Sequence, residues 1–269
     1  MSKSKNKIGT CKLCQTKNVT LRDSHILPKW GYKMVKGDSN DFIEITPQKS
    51  HYTNREHKEY LLCQDCENRF GIREDYVRNL VDRYYNKKEL FNLFTLDPNQ
   101  LTNPNAKFIY STLSIECIDE EKIAYFATSI IWRAAVCSKK PENLYLKEYQ
   151  EQIRQYLDEK INFPKNAYLI VYFHNRYCRF PNAILTSPTT AQSEDSYYCH
   201  YFFFYGISFM LFLGHSIPVA IKKYSLINGD SPSIIIRSLE NIASMDQIRE
   251  LTEKSKATGR LVEEENNSY

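Results

Sequence analysis

The pair Cys11-Lys12-Leu13-Cys14, answered 48 residues later by Leu62-Cys63-Gln64-Asp65-Cys66-Glu67, decides how the first part of this chain folds. Two thiolates separated by two residues can grip one tetrahedral ion from a tight turn. A second such pair completes four soft ligands with no open position. Cys11, Cys14, Cys63 and Cys66 are therefore expected to hold one structural Zn2+. Cys117, Cys137, Cys178 and Cys199 have no such spacing and read as core or strand residues.

Working outward, 48 residues are too many for a minimal zinc ribbon, whose knuckles are usually roughly 15–20 residues apart. Something else must be held between them. The segment that stands out is Arg22-Asp23-Ser24-His25-Ile26-Leu27-Pro28-Lys29-Trp30, a histidine preceded by small polar or acidic residues and followed by an apolar pair and a proline. Asn54 and Glu59 lead into the apolar Tyr60-Leu61-Leu62, and the second cysteine pair runs directly into Glu67 and Asn68 at a helix start. Short strands are expected at 42–46 and 60–62, with a helix from about residue 66 towards 85.

The CKLC, SHILPKW and KEYLLCQDCENRFGIRED segments resemble the zinc-stabilised HNH endonucleases over residues 8–80. The resemblance implies a ββα-metal fold with His25 as general base, DNA as partner and a catalytic Mg2+ or Mn2+. By analogy it also implies a setting in bacterial anti-phage defence. Ser24 stands where the family usually has an aspartate ligand, and Glu67 where it usually has His or Asn. Asp23 or Glu59 is then expected to make up the missing carboxylate, and Asn54 loosely matches the asparagine that orients the histidine. The competing reading is a zinc-bound nucleic-acid-binding or protein-interaction module without catalysis. In it His25 is a structural histidine or a spare zinc ligand, Asp23 and Ser24 form a turn, and Glu67 simply complements a helix N-terminus.

Bulk properties limit the function classes. At 42% hydrophobic and 13% aromatic residues the chain can bury a substantial core, and no uncharged apolar run has the roughly 18 residues needed to span a bilayer. The basic start MSKSKNKIGT has no apolar stretch behind it, so a cytoplasmic protein with no membrane partner is expected. Net charge is +4, and residues 1–75, with 14 Lys and Arg against 10 Asp and Glu, carry all of it. Phosphate contacts are therefore expected from Lys29, Lys33, Lys36, Arg55, Lys58 and Arg69. His51 and His57 read as exposed loop residues that could join them.

The remainder predicts an α+β chain in which a zinc-bound, HNH-like module (1–94) is followed by a domain of unassigned role (95–262) and a disordered tail (263–269). Residues 95–108 read as a loop. Ile123, Phe126, Ala127, Ile130, Ile131, Ala134 and Ala135 recur at helical spacing almost without a polar face, so 121–137 is expected to be a buried central helix. Its Arg133 needs a partner from elsewhere, such as Glu116 or Asp119. An amphipathic helix is expected over 142–160. Apolar runs at 167–173, 183–185, 197–205, 207–213, 218–221 and 233–237 predict an antiparallel sheet, and 241–254 a last helix. The aromatic density of 197–213 requires that sheet to bury a face against the central helix or another subunit, a homodimer or partner protein being expected there.

Overall fold

The computed structural model describes residues 7–38, 40–46, 48–87, 107–115, 117–139, 141, 144–174, 184–192, 197–237, 250 and 252–262. The expected domain boundary near 94, Glu116, Cys178, the tail and most of the helix expected at 241–254 lie outside them. Among the described residues no helix is long and apolar enough to cross a membrane.

The fold is α+β. Strands β1 (Lys7–Gly9), β2 (Val19–His25) and β5 (Lys58–Leu62) form one small antiparallel sheet in the order β1-β2-β5, and helix α2 (Gln64–Val81) follows β5 directly. Between β2 and β5 the chain makes helix α1 (Lys29–Lys36) and the hairpin β3 (Phe42–Ile45) and β4 (Lys49–Thr53). The proline before Lys29 suits the helix start, because its fixed φ is already helical and its missing N–H is not needed there.

The remainder begins with β6 (Lys107–Ser111), helix α3 (Glu120–Val136) and helix α4 (Tyr149–Leu157). It continues with β7 (Ala167–His174), β8 (Thr189–Gln192), β9 (Tyr197–Phe204), β10 (Ile207–Gly214), helix α5 (Val219–Tyr224), β11 (Ser233–Arg237) and β12 (Lys256–Ala257). Six strands form one sheet in the order β6-β11-β7-β10-β9-β8. Period-two alternation divides its faces. Leu169, Val171, Phe173, Phe202, Phe204, Phe209, Leu211, Ile234 and Ile236 join the main core, while Ile170, Cys199, Phe212 and Ile235 form a second cluster with Ile217, Ile221 and Tyr224. Helix α3 covers the first face, with Phe126 packed on Phe204 and Phe209 at 5.5 and 5.6 Å between ring centroids.

Several expectations need correction. The sheet is mixed, because β11 pairs β7 in parallel. Residues 218–221 do not form a strand: Ile221 N–H donates to Pro218 O and the segment turns into α5, since the proline N-cap and the following Val-Ala-Ile-Lys-Lys-Tyr satisfy a helix without an open ladder beside them. The helix expected over 142–160 is only Tyr149–Leu157, and residues 144–146, placed before it, are not helical. Residues 107–108, read as loop, begin β6, and at 183–185 the described part makes only a bridge from Leu185 to Phe204. Strands β8 and β12 were not anticipated; β12 pairs in parallel with β4, so residues near the end of the chain complete a sheet begun in the insert.

One continuous core joins the cysteine-bearing part to the six-stranded sheet, running from Cys11, Leu13, Leu61 and Phe70 through Phe126 and Trp132 to Phe204. Helix α1 takes part in the join, with Trp30 edge-on to Phe204 at 4.8 Å. A Cβ on Gly31 would stand 2.6 Å from Phe204 Cζ. Ala favours a helix over Gly by about 1 kcal/mol, but overpacking against a wholly buried ring costs about 1–3 kcal/mol. Gly31→Ala is therefore expected to lower stability, read as a reduced denaturation midpoint. An unchanged or higher midpoint would mean that Phe204 yields without cost.

A buried histidine couples the sheet to pH. His200 on β9 is fully buried, its Nδ1 2.8 Å from Thr190 Oγ1, and burial pushes its pKa from 6.5 down to about 4. The unfolded chain therefore binds the extra proton first. The neutral-His200 contribution is complete above about 6.5 and is lost as pH falls towards about 4. Thermal melts across that window are expected to show a declining midpoint, with a shallower decline in His200→Gln; parallel curves for the two proteins would refute the assignment.

Candidate functional site

The four cysteines of the two pairs converge, with their Sγ atoms all within 4.8 Å of one another. They are the only such cluster of His, Cys, Asp or Glu among the described residues. Cys14 Sγ and Cys63 Sγ are 3.8 Å apart, the separation of about 3.8 Å that two 2.3 Å metal–sulfur legs subtend at a tetrahedral angle. The Cys63 backbone N–H donates to Cys11 Sγ at 3.4 Å, and Lys12 N–H donates to Leu61 O at 2.9 Å, which ties the first pair to β5. A hydrogen bond with Cys66 holds the Cys11 thiol down at about 4 and the same contact pushes Cys66 up, so one proton is shared where a cation could sit. These residues could hold a metal ion.

His25 ends β2. The ladder pairs Asp23 with Tyr60, Ser24 with Glu59 and His25 with Lys58, after a register shift between Arg22 and Asp23. Opposed residues share a face and neighbours alternate, so Asp23, His25 and Lys58 lie on one face of the pair and Ser24 and Glu59 on the other. The candidate oxygen donors are thereby divided. Asp23 accepts from Lys58 Nζ at 2.8 Å. Glu59 turns to the end of α3, where Oε2 accepts from Ser138 N at 2.7 Å and Ser138 Oγ at 2.6 Å. Ser24 is buried, its hydroxyl donating to Arg22 O at 3.4 Å. Glu67, in the first turn of α2, has a buried Oε1 without a hydrogen-bond partner.

The group that meets the His25 imidazole is Glu56, with Nε2 2.8 Å from Glu56 Oε2. Lys36 Nζ donates to the other carboxylate oxygen at 2.8 Å. Burial alone would raise the Glu56 pKa, but hydrogen bonds from Lys36 and His25 outweigh it and hold the carboxyl below its ordinary value. Asn54 lines the same cleft, and its carbonyl rather than its side chain accepts from Lys36, at 3.5 Å. That cleft, of about 820 Å³, is lined by Asp23, Lys36, Asn40, Asn54, Arg55, Glu56 and Lys58.

Of the expected phosphate contacts, Lys36, Arg55 and Lys58 line the cleft, and Lys29 and Lys33 are exposed on α1. Arg69 points elsewhere, donating to Asp158 Oδ1 at 3.0 Å. His57 is an exposed loop residue, as expected, whereas His51 lies on β4, and Glu44 draws in both imidazoles, His51 at 3.6 Å and His57 at 2.8 Å. Sequence reasoning missed Glu56 and Arg133. Glu56 precedes Lys58 by two residues and so belongs near the His25 face, but that follows only once Lys58 is known to oppose His25. Of the partners expected for Arg133, Glu116 lies outside the described residues and Asp119 instead caps α3 by accepting from Lys122 N; Arg133 pairs with Glu74. No family model, curated protein or solved structure matches this chain.

Proposed function

We propose that this chain is a metal-dependent, HNH-like endonuclease that hydrolyses DNA phosphodiester bonds with His25 as general base. The observation that carries the reading is the hydrogen bond of His25, at the end of β2, to Glu56, which lines a cleft together with Lys36, Arg55 and Lys58. Phosphodiester hydrolysis needs a base to take a proton from water and cations to position the backbone. An imidazole hydrogen-bonded to a carboxylate is oriented for the first task, and three cations around it serve the second. The order of β2, β5 and α2, pinned by the thiol cluster, is the order that the ββα-metal reading requires. Four cysteine donors at tetrahedral separation suit Zn2+ as the pinning ion.

A catalytic Mg2+ or Mn2+ belongs to the same proposal. Asp23 and Glu59 are engaged by Lys58 and Ser138, and Ser24 lies on the face of the ladder opposite His25, so Glu67, with its unpartnered buried oxygen, is the one expected donor left for such an ion. Hard cations take several oxygens, and waters and phosphate oxygens would complete the set. When bound, the ion supplies charge stabilisation at the scissile phosphate. The residues of the chain do the rest: Glu56 holds the His25 ring by accepting from Nε2–H, which leaves Nδ1 to take the proton, and Lys36, Arg55 and Lys58 hold the backbone.

The engagement of Asp23 and Glu59 also favours a second reading, a zinc-bound nucleic-acid-binding module without catalysis. Supercoiled plasmid incubated with the protein and Mg2+ or Mn2+ separates the two. Nicking that chelator abolishes supports the nuclease, whereas retarded but intact plasmid at every metal supports the binding module.

A further inference from the structure

The main-chain oxygen of His25 is held by a residue 108 positions away. Arg133 is buried at 2% exposure on α3, and its Nη1 donates to His25 O at 2.8 Å. Its Nη2 donates to Glu74 Oε1 at 2.7 Å on α2, and its Nε to Ser129 O at 3.4 Å, one turn back on its own helix. The guanidinium lies over Phe70, 5.2 Å from the ring centroid. We propose that Arg133 is a positioning residue for His25, the point at which the second half of the chain sets the geometry of the catalytic strand end. The inference rests on the nuclease reading for its link to turnover and on the contacts above for its geometry.

The chemistry explains why an arginine is needed. His25 is the last residue of β2, and beyond it the chain leaves the ladder, with Ile26 N–H donating to His57 O. A buried strand-end carbonyl requires a donor. A planar fork satisfies two acceptors on different elements at fixed angles, here β2 and α2, which a lysine ammonium on a flexible stem does not reproduce. The same helix end grips the other strand, because Ser138 donates to Glu59 of β5 from both its backbone N and its hydroxyl. Helix α3 thus holds both strands of the pair while its other residues pack on the six-stranded sheet. Displacement at that sheet reaches the His25 ring through a buried, charged joint.

The test uses full-length, metal-loaded protein carrying Arg133→Lys or, should that variant fail to fold, Glu74→Gln. Two readouts are taken: nicking kinetics at varied plasmid concentration, and the histidine-ring NMR signals, assigned with His25→Ala. Misplacing a reacting group by a fraction of an ångström to an ångström costs about 10- to 100-fold in turnover, so kcat is expected to fall by that factor with KM unchanged, and the His25 ring signals to move while those of His200 stay. Unchanged His25 signals in a folded variant overturn the proposal. Absence of nicking in the unsubstituted protein defeats the nuclease reading instead, and the ring signals still decide whether Arg133 positions His25.

Discussion

Cys66→Ser is expected to unfold the region from β1 to α2 and to abolish metal retention. Cys66 is at once a member of the thiol cluster and a core residue at 1% exposure, one turn from Phe70 on α2. A structural four-cysteine zinc site contributes on the order of 10 kcal/mol in small metal domains, as much as the whole net stability of about 5–15 kcal/mol that a typical domain has. The loss should spread, because the core continues from Leu61 and Phe70 into α3 without a break among the described residues. Elemental analysis of the unsubstituted protein should find about one zinc per chain, and circular dichroism of the variant should show lost structure and an early melt. A folded Cys66→Ser protein with an unchanged midpoint, or folded unsubstituted protein with no metal, would remove the basis of the zinc assignment.

His25→Ala is expected to reduce plasmid nicking by about 10²- to 10⁴-fold, the usual contribution of a general base. DNA affinity should change little, because the contacts proposed to position the phosphate backbone are those of the cleft residues Lys36, Arg55 and Lys58. Glu56→Gln should lie between the two proteins, since it keeps the shape of the pair but not its charge. Neutralising Arg55 with Lys29 and Lys33 should do the reverse of His25→Ala, weakening binding across unrelated sequences and flattening its salt dependence. Nicking by His25→Ala at the rate of the unsubstituted protein would transfer the base role elsewhere or end the nuclease reading.

The parts of this protein that were legible in the sequence are those set by local spacing. Two residues between thiols, repeated, already specify a tetrahedral donor set, and the structure draws those four sulfurs together. The near-unbroken apolar spacing of Ile123 to Ala135 announced the buried helix, and the apolar runs at 167–173 and 207–213 announced β7 and β10. Residues 218–221 misled because three or four apolar residues suit a strand and a helical turn equally, and the proline ahead of them decided the matter.

The site is a different case. The resemblance implied a ββα-metal fold with His25 as its base, but the partner of the imidazole could not be read from the sequence. Glu56 reaches it because β5 pairs with β2 in one register out of several, and a shift of a single residue would send Glu56 to the opposite face. The same alternation separates Asp23 from Ser24 and Glu59, which the resemblance had grouped as candidate ligands of one ion. Arg133, Ser138, Asp158 and the strand β12 act on the first half of the chain from 79 or more residues away, through hydrogen bonds to a strand-end carbonyl, a carboxylate, a guanidinium and an open sheet edge. The sequence by itself singled out the four cysteines that could hold a metal ion and the buried helix, because both are written in the spacing of near neighbours along the chain. Only the tertiary structure decided which carboxylate meets His25 and which arginine holds it, because those contacts are chosen by strand register and by the packing of α3 between the two sheets.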